Sequence, residues 1–69
     1  MKRKEVLKRL RTAAKSQGLD YYEFELKKHT AVRIGTTTRT IGRHSEIPEL
    51  TVIKFYQQFS DELGKGWWH

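Results

Sequence analysis

Histidine is the residue type in this sequence best suited to proton transfer, because imidazole changes its charge near neutral pH. His29 follows two lysines in the run Lys27-Lys28-His29-Thr30. In this setting it could act as a general acid or base while the neighbouring cations hold a phosphate group. The alternative is a solvated histidine in a turn, and the residue types alone leave both possibilities open.

Cationic side chains are the second prominent feature. Fourteen lysines and arginines against eight acidic residues give a net charge of +6. A field of this sign attracts polyanions, so nucleic acid is the leading class of partner, ahead of an acidic protein and a membrane surface. Arg33, Arg39 and Arg43, with Lys27 and Lys28, could form a cationic strip on the outer sheet face, because guanidinium groups suit phosphate oxygens. Ordinary solvated strand residues are the alternative.

RNA cleavage is the reaction that demands least of a chain of 69 residues, because the 2′-hydroxyl beside each phosphate is a nucleophile within the substrate itself. The protein need supply only a proton acceptor, a proton donor and cations for the developing charge. The sequence has no motif for nucleotide phosphates, zinc or a catalytic triad, and it has no cysteine. We therefore expect no metal, no other cofactor and a cytoplasmic location.

A second histidine, His44, follows Arg43 in the segment after the last predicted strand. It could be a second proton shuttle, or it could hold RNA. The alternative is a loop histidine partnered by Glu46.

The first predicted element is a helix from Lys2 to Ser16, and Gly18 supplies the left-handed residue that commonly follows a helix. Charged residues interrupt its apolar positions, so we expect neither a membrane span nor a membrane partner. These positions have the spacing of a buried helical stripe, and they are Val6, Leu7, Leu10, Ala13 and Ala14.

A first strand is predicted after this helix. Tyr22, Phe24 and Leu26 alternate with Glu23 and Glu25. Alternation of this kind is typical of a strand with one buried face, so we expect the three apolar side chains to be buried.

Two further strands are predicted at 30–34 and 38–41, with a turn at 35–37 between them. The β-branched residues of the earlier strand share one parity. His29 has the opposite parity, which predicts that it faces solvent.

A closing helix is expected to begin at Thr51 as N-cap, or one turn earlier at Pro48, and to end at Gly64. Its apolar stripe consists of Val52, Phe55 or Tyr56, Phe59 and Leu63.

The predicted fold class is α+β with the order α-β-β-β-α, in which two helices cover one face of a three-stranded antiparallel sheet. Residues 1–64 form the domain. Residues 65–69, with Trp67 and Trp68, form a short tail that could fold back as a lid or serve as a contact surface.

Several of these features together resemble a known family. They are the basic first helix with its paired aliphatic residues, Gly18, His29, Arg43-His44 followed by Glu46-Ile47, and Thr51-Val52 with Gln57-Gln58. In this order and spacing the chain resembles the HicA mRNA interferases over roughly residues 2–60.

The resemblance implies a fold like that of double-stranded-RNA-binding domains and metal-independent cleavage of mRNA, with His29 as the catalytic residue. It also implies neutralisation of the toxin by a HicB-type antitoxin. In the family a glycine commonly stands two residues before this histidine, whereas this chain has Lys27, so we expect a different backbone there. A non-catalytic RNA- or DNA-binding module with the same fold is the alternative.

Overall fold

The helices and strands of the protein follow the predicted order. The computed structural model describes all 69 residues. Its elements are α1 (Arg3–Ser16), β1 (Tyr21–Glu25), β2 (His29–Ile34), β3 (Thr37–Gly42), α2 (Glu49–Gln57) and α3 (Ser60–Leu63). The α+β class and the α-β-β-β-α order are confirmed, with the closing helix divided into α2 and α3.

α1 ends in the way that Gly18 predicts. Gly18 has a φ of +70°, and its N–H donates to the Lys15 carbonyl while the Leu19 N–H donates to the Ala14 carbonyl. This pair of bonds is a Schellman motif, which caps carbonyls that the helix leaves open. The chain can therefore turn sharply from α1 into β1.

The sheet is antiparallel in the order β1-β2-β3. Val32 of β2 pairs with Glu23 on one side and Arg39 on the other. Because cross-strand partners share a sheet face, Val32, Ile34 and Ile41 define an inner face, which the helices cover. The core consists of these three residues together with Val6, Leu7, Leu10, Ala14, Ile47, Val52, Phe55, Tyr56, Phe59 and Leu63.

The expectation that Tyr22, Phe24 and Leu26 are buried is wrong, because these side chains are 50%, 45% and 47% exposed. The pairing register of the first hairpin explains the error. Phe24 pairs with Ala31 and Tyr22 with Arg33, and both partners have the parity opposite to the buried Val32. The aromatic side chains of β1 therefore lie on the outer face, away from the helices.

α2 begins at the earlier of the two expected positions, since the Val52 N–H donates to the Pro48 carbonyl across 3.0 Å. It ends near Gln58, where bonds from Gln58 to Phe55 and from Phe59 to Tyr56 tighten the last turn. Thr51 is therefore inside the helix, and the expectation of an N-cap there is wrong.

The tail at 65–69 is part of the folded domain. The Trp67 indole N–H donates to the Tyr56 carbonyl across 2.9 Å, and the rings of these residues lie 4.6 Å apart. Trp67 and Trp68 pack against the core, so the tail folds back onto the domain. No helix of the structure combines the length and apolarity needed to cross a membrane.

Candidate functional site

His29 is the first residue of β2 and pairs with Gly42, the last residue of β3. Its parity is that of Ala31 and Arg33, so it belongs to the outer face, and its side chain is exposed. The predicted orientation toward solvent is confirmed. Because the strand pairing fixes the backbone of His29, its imidazole projects from a rigid element.

The turn that carries His29 is closed in an unusual way. The Leu26 N–H donates to the His29 carbonyl across 2.8 Å, but no bond returns from the His29 N–H to the Leu26 carbonyl. The Arg43 guanidinium donates to that carbonyl instead, and it also lies 3.4 Å from the His29 carbonyl. Lys27 has no positive φ, so the turn is built without the left-handed residue that glycine would favour.

A polar network beneath the turn joins the ends of all three strands to α1. Arg3 donates from Nε to the Gly42 carbonyl across 3.2 Å and from Nη2 to the Thr30 hydroxyl. The fully buried Thr30 donates in turn to the Glu25 carboxylate. Arg43 lies 3.9 Å from the same carboxylate. Sequence reasoning missed Arg3, Glu25 and Thr30, because each looked like an ordinary helix or strand residue.

His29 and His44 line the same cleft, which has a volume of about 440 Å³ and lies between the ends of β2 and β3 and the start of α2. We call it the histidine cleft. The His44 ring lies above Gly42, since a Cβ added there would be 3.6 Å from His44 Cδ2. Thr51 and Phe55 form part of the wall. Two histidines that are 15 positions apart in the sequence thus line one cleft at one corner of the sheet.

Glu46 is not the partner of His44 that one sequence-based alternative proposed. Its carboxylate lies 2.8 Å from the Met1 ammonium and 3.1 Å from Lys2 Nζ. Hydrogen bonds from these two cations lower the pKa of Glu46 below its ordinary value of 4.5. The exposed His44 side chain is therefore free to face the cleft.

Cations surround this corner, but not in the expected arrangement. Arg39 pairs with Val32 and so shares the inner-face parity, whereas Arg33 pairs with Thr38 on the outer face. The expected strip of Arg33, Arg39 and Arg43 on one face is therefore wrong. Arg43 instead lines a cleft of about 380 Å³ at the start of α1, and the cations that share this cleft with it are Lys2, Arg3 and Lys4.

No known protein family, curated protein or solved structure matches this chain. The similarity to HicA proteins therefore stays a prediction that depends on the residues quoted above. The likeness to double-stranded-RNA-binding domains is likewise a prediction from the sequence.

The corner can supply the parts of an acid–base reaction on a phosphodiester. It offers two imidazoles on one cleft, the exposed Lys27 and Lys28 beside His29, and the cations at the start of the chain around Arg43. No three carboxylate or histidine side chains come together in a way that could hold a metal ion.

Proposed function

We propose that the protein is an endoribonuclease of the HicA type, which cleaves mRNA by acid–base chemistry at the histidine cleft. The observation that carries this proposal is that His29 and His44 line one cleft, with a cationic surface near it. A single exposed histidine would be unremarkable, whereas two on one cleft provide both a proton acceptor and a proton donor.

In the proposed reaction His29 accepts the proton of the 2′-hydroxyl, and the resulting oxygen attacks the adjacent phosphorus. The bond to the 5′-oxygen breaks, and this leaving group takes a proton from His44 or from water. The products are a 2′,3′-cyclic phosphate and a 5′-hydroxyl. Lys27 and Lys28 stabilise the negative charge that develops on the phosphorane oxygens.

The protein partner in this proposal is an acidic HicB-like antitoxin in the cytoplasm. The net charge of +6 favours fast capture of an acidic protein by the surface that receives RNA. Inhibition then follows from occlusion of the histidine cleft. A complex that inhibits cleavage while His29 stays open to solvent would contradict this part of the proposal.

The decisive experiment compares wild-type protein with His29→Ala in an RNA cleavage assay, with and without EDTA. Loss of a positioned proton-transfer group lowers a rate by about 10² to 10⁴, so His29→Ala should show no detectable turnover. Wild-type activity should survive EDTA and give cyclic phosphate ends. Because His29 is exposed, its removal should change the free energy of unfolding by no more than about 0.5 kcal/mol.

His69→Ala is the matched control, since it removes an imidazole that lies against Trp68 in the tail. It should cleave at the wild-type rate. Equal cleavage by folded His29→Ala protein would refute the proposal. RNA binding without cleavage by the wild-type protein would favour the non-catalytic module.

A further inference from the structure

The outer face of the sheet carries two aromatic rings that the proposed chemistry does not use. Tyr22 and Phe24 lie on neighbouring outer positions of β1, with ring centroids 6.2 Å apart and planes inclined by only 26°. Each side chain is about half exposed, at 50% and 45%. The two rings are therefore only slightly inclined to each other, and about half of each side chain is accessible on the outer face.

A shallow cleft of about 450 Å³ runs beside these rings, and Arg33 and Asp20 contribute to its wall. Arg33 Nε donates to the Gly35 carbonyl across 3.1 Å, which fixes the position of the guanidinium on the outer face. Because the charges of Arg33 and Asp20 are opposite, this cleft has no strong preference for phosphate. Aromatic rings, a planar cation and a hydrogen-bond acceptor are instead the groups that bind a nucleobase.

The position of the rings relative to His29 connects this surface with the histidine cleft. Phe24 pairs with Ala31, and His29 lies two residues further along the same face of β2. Two residues of a strand span roughly 6.6 Å. A chain whose bases rest on Tyr22 and Phe24 would therefore have a phosphodiester within reach of His29.

From these observations we propose that Tyr22 and Phe24 form a stacking surface for unpaired bases of single-stranded RNA, with Arg33 beside them. This proposal rests on the proposed function for the nature of the substrate, and it deepens that function by assigning the class of RNA. A second protein molecule is a poorer occupant, because the net charge of +6 favours a polyanion. The same face is also polar at Arg33, Thr38 and Thr40.

The test measures binding rather than cleavage. A labelled single-stranded oligonucleotide with 2′-O-methyl groups, which block cleavage, is compared by fluorescence anisotropy with an abasic oligonucleotide of equal phosphate count. Stacking of one base on an aromatic ring changes affinity by roughly fivefold to 100-fold. The wild-type protein should therefore bind the oligonucleotide with bases at least fivefold more tightly than the abasic one at the same salt concentration.

Ring-removing and ring-keeping variants make the test specific. Phe24→Leu and Tyr22→Leu should each lose at least fivefold in affinity for the oligonucleotide with bases and none for the abasic one. Phe24→Tyr and Tyr22→Phe should bind like the wild-type protein. The exposed positions make all four variants compatible with folding, which circular dichroism checks.

The outcomes separate this proposal from the proposed function. If the wild-type protein cleaves RNA but Phe24→Leu binds normally, the stacking surface is refuted and the nuclease stands. If base preference depends on the rings but no cleavage occurs, the nuclease is refuted and the stacking surface stands. A dimer in solution that Phe24→Leu dissociates would assign the face to a second copy of the chain and overturn the proposal.

Discussion

Replacement of Arg43 tests whether this residue positions His29 or binds phosphate, as the sequence suggested. In the structure its guanidinium bridges the Leu26 and His29 carbonyls and approaches Glu25. Arg43→Lys keeps the positive charge but removes the planar group that reaches several acceptors at once. A residue that only attracts phosphate would tolerate this change, whereas one that holds the turn would not.

The expected effect of Arg43→Lys on kcat follows from the hydrogen bonds that the substitution removes. Hydrogen bonds from a charged donor contribute about 1.5 to 3 kcal/mol each. The Arg43 side chain is 43% exposed, so solvent places the main bond to Leu26 at the low end, about 1.5 kcal/mol. If this loss appears as misorientation of His29 in the transition state, kcat falls about tenfold.

The assay is steady-state cleavage of a short RNA, which separates kcat from KM. Arg43→Lys should lower kcat about tenfold, and KM should change less than twofold because the charge is kept. Arg39→Lys is the matched control, since Arg39 donates only to the carbonyl of its neighbour Thr38, and it should leave kcat unchanged. A normal kcat in Arg43→Lys, with any loss confined to KM, would show that Arg43 binds phosphate and that the positioning role is wrong.

Two further predictions concern the stability of the scaffold. Tyr56→Phe removes the buried hydrogen bond from the Tyr56 hydroxyl to the Val6 carbonyl, so the free energy of unfolding should fall by about 1 kcal/mol. Tm should then fall by about 4 to 8 °C in thermal unfolding followed by circular dichroism, and an unchanged Tm would contradict this. The Glu62 carboxylate accepts hydrogen bonds from the Thr36 N–H and from the Thr36 and Thr37 hydroxyls, and the bonds from Thr36 lower its pKa below the ordinary 4.5. Its stabilising effect is therefore present above pH 4.5 and is lost as the pH falls through the lowered pKa, so denaturant titrations of Glu62→Gln should show a weaker loss of stability on acidification than the wild-type protein.

The fold was predictable where a local signal decided it. Gly18 marks the end of α1 because only the left-handed region satisfies that cap easily, and the β-branched parity of β2 placed His29 toward solvent. The burial of β1 could not be read from its own alternation, because the register with β2 decides which face its side chains take. The pairing of Glu25 with Thr30 turns Tyr22 and Phe24 outward. Recognising Lys27 and Lys28 as the centre of a hairpin turn would have given this register, and with it the outward orientation of Tyr22 and Phe24.

The candidate site was predictable in its histidines but not in its support. His29 and His44 were both named from residue type, and the structure places them on one cleft. The role of Arg43 in holding a turn depends on the Leu26 carbonyl being left open, which a sequence does not reveal. The hydrogen bond from Arg3 to Thr30 was not predictable either, because no local sequence pattern relates two residues that lie so far apart in the chain.

The corner beneath His29 is held by contacts between residues that lie far apart in the sequence, and this affects the order in which the protein folds. The sheet itself consists of two hairpins, which form from neighbouring residues. The corner is completed by contacts between residues 27, 39 and 46 positions apart, from Arg3 to Thr30 and Gly42 and from Met1 to Ile47. Contacts of such separation form late, because they require the closure of long loops. The proposed cleavage site is therefore expected to be assembled last, and a nascent or partly unfolded chain should not cleave RNA until its first helix has docked.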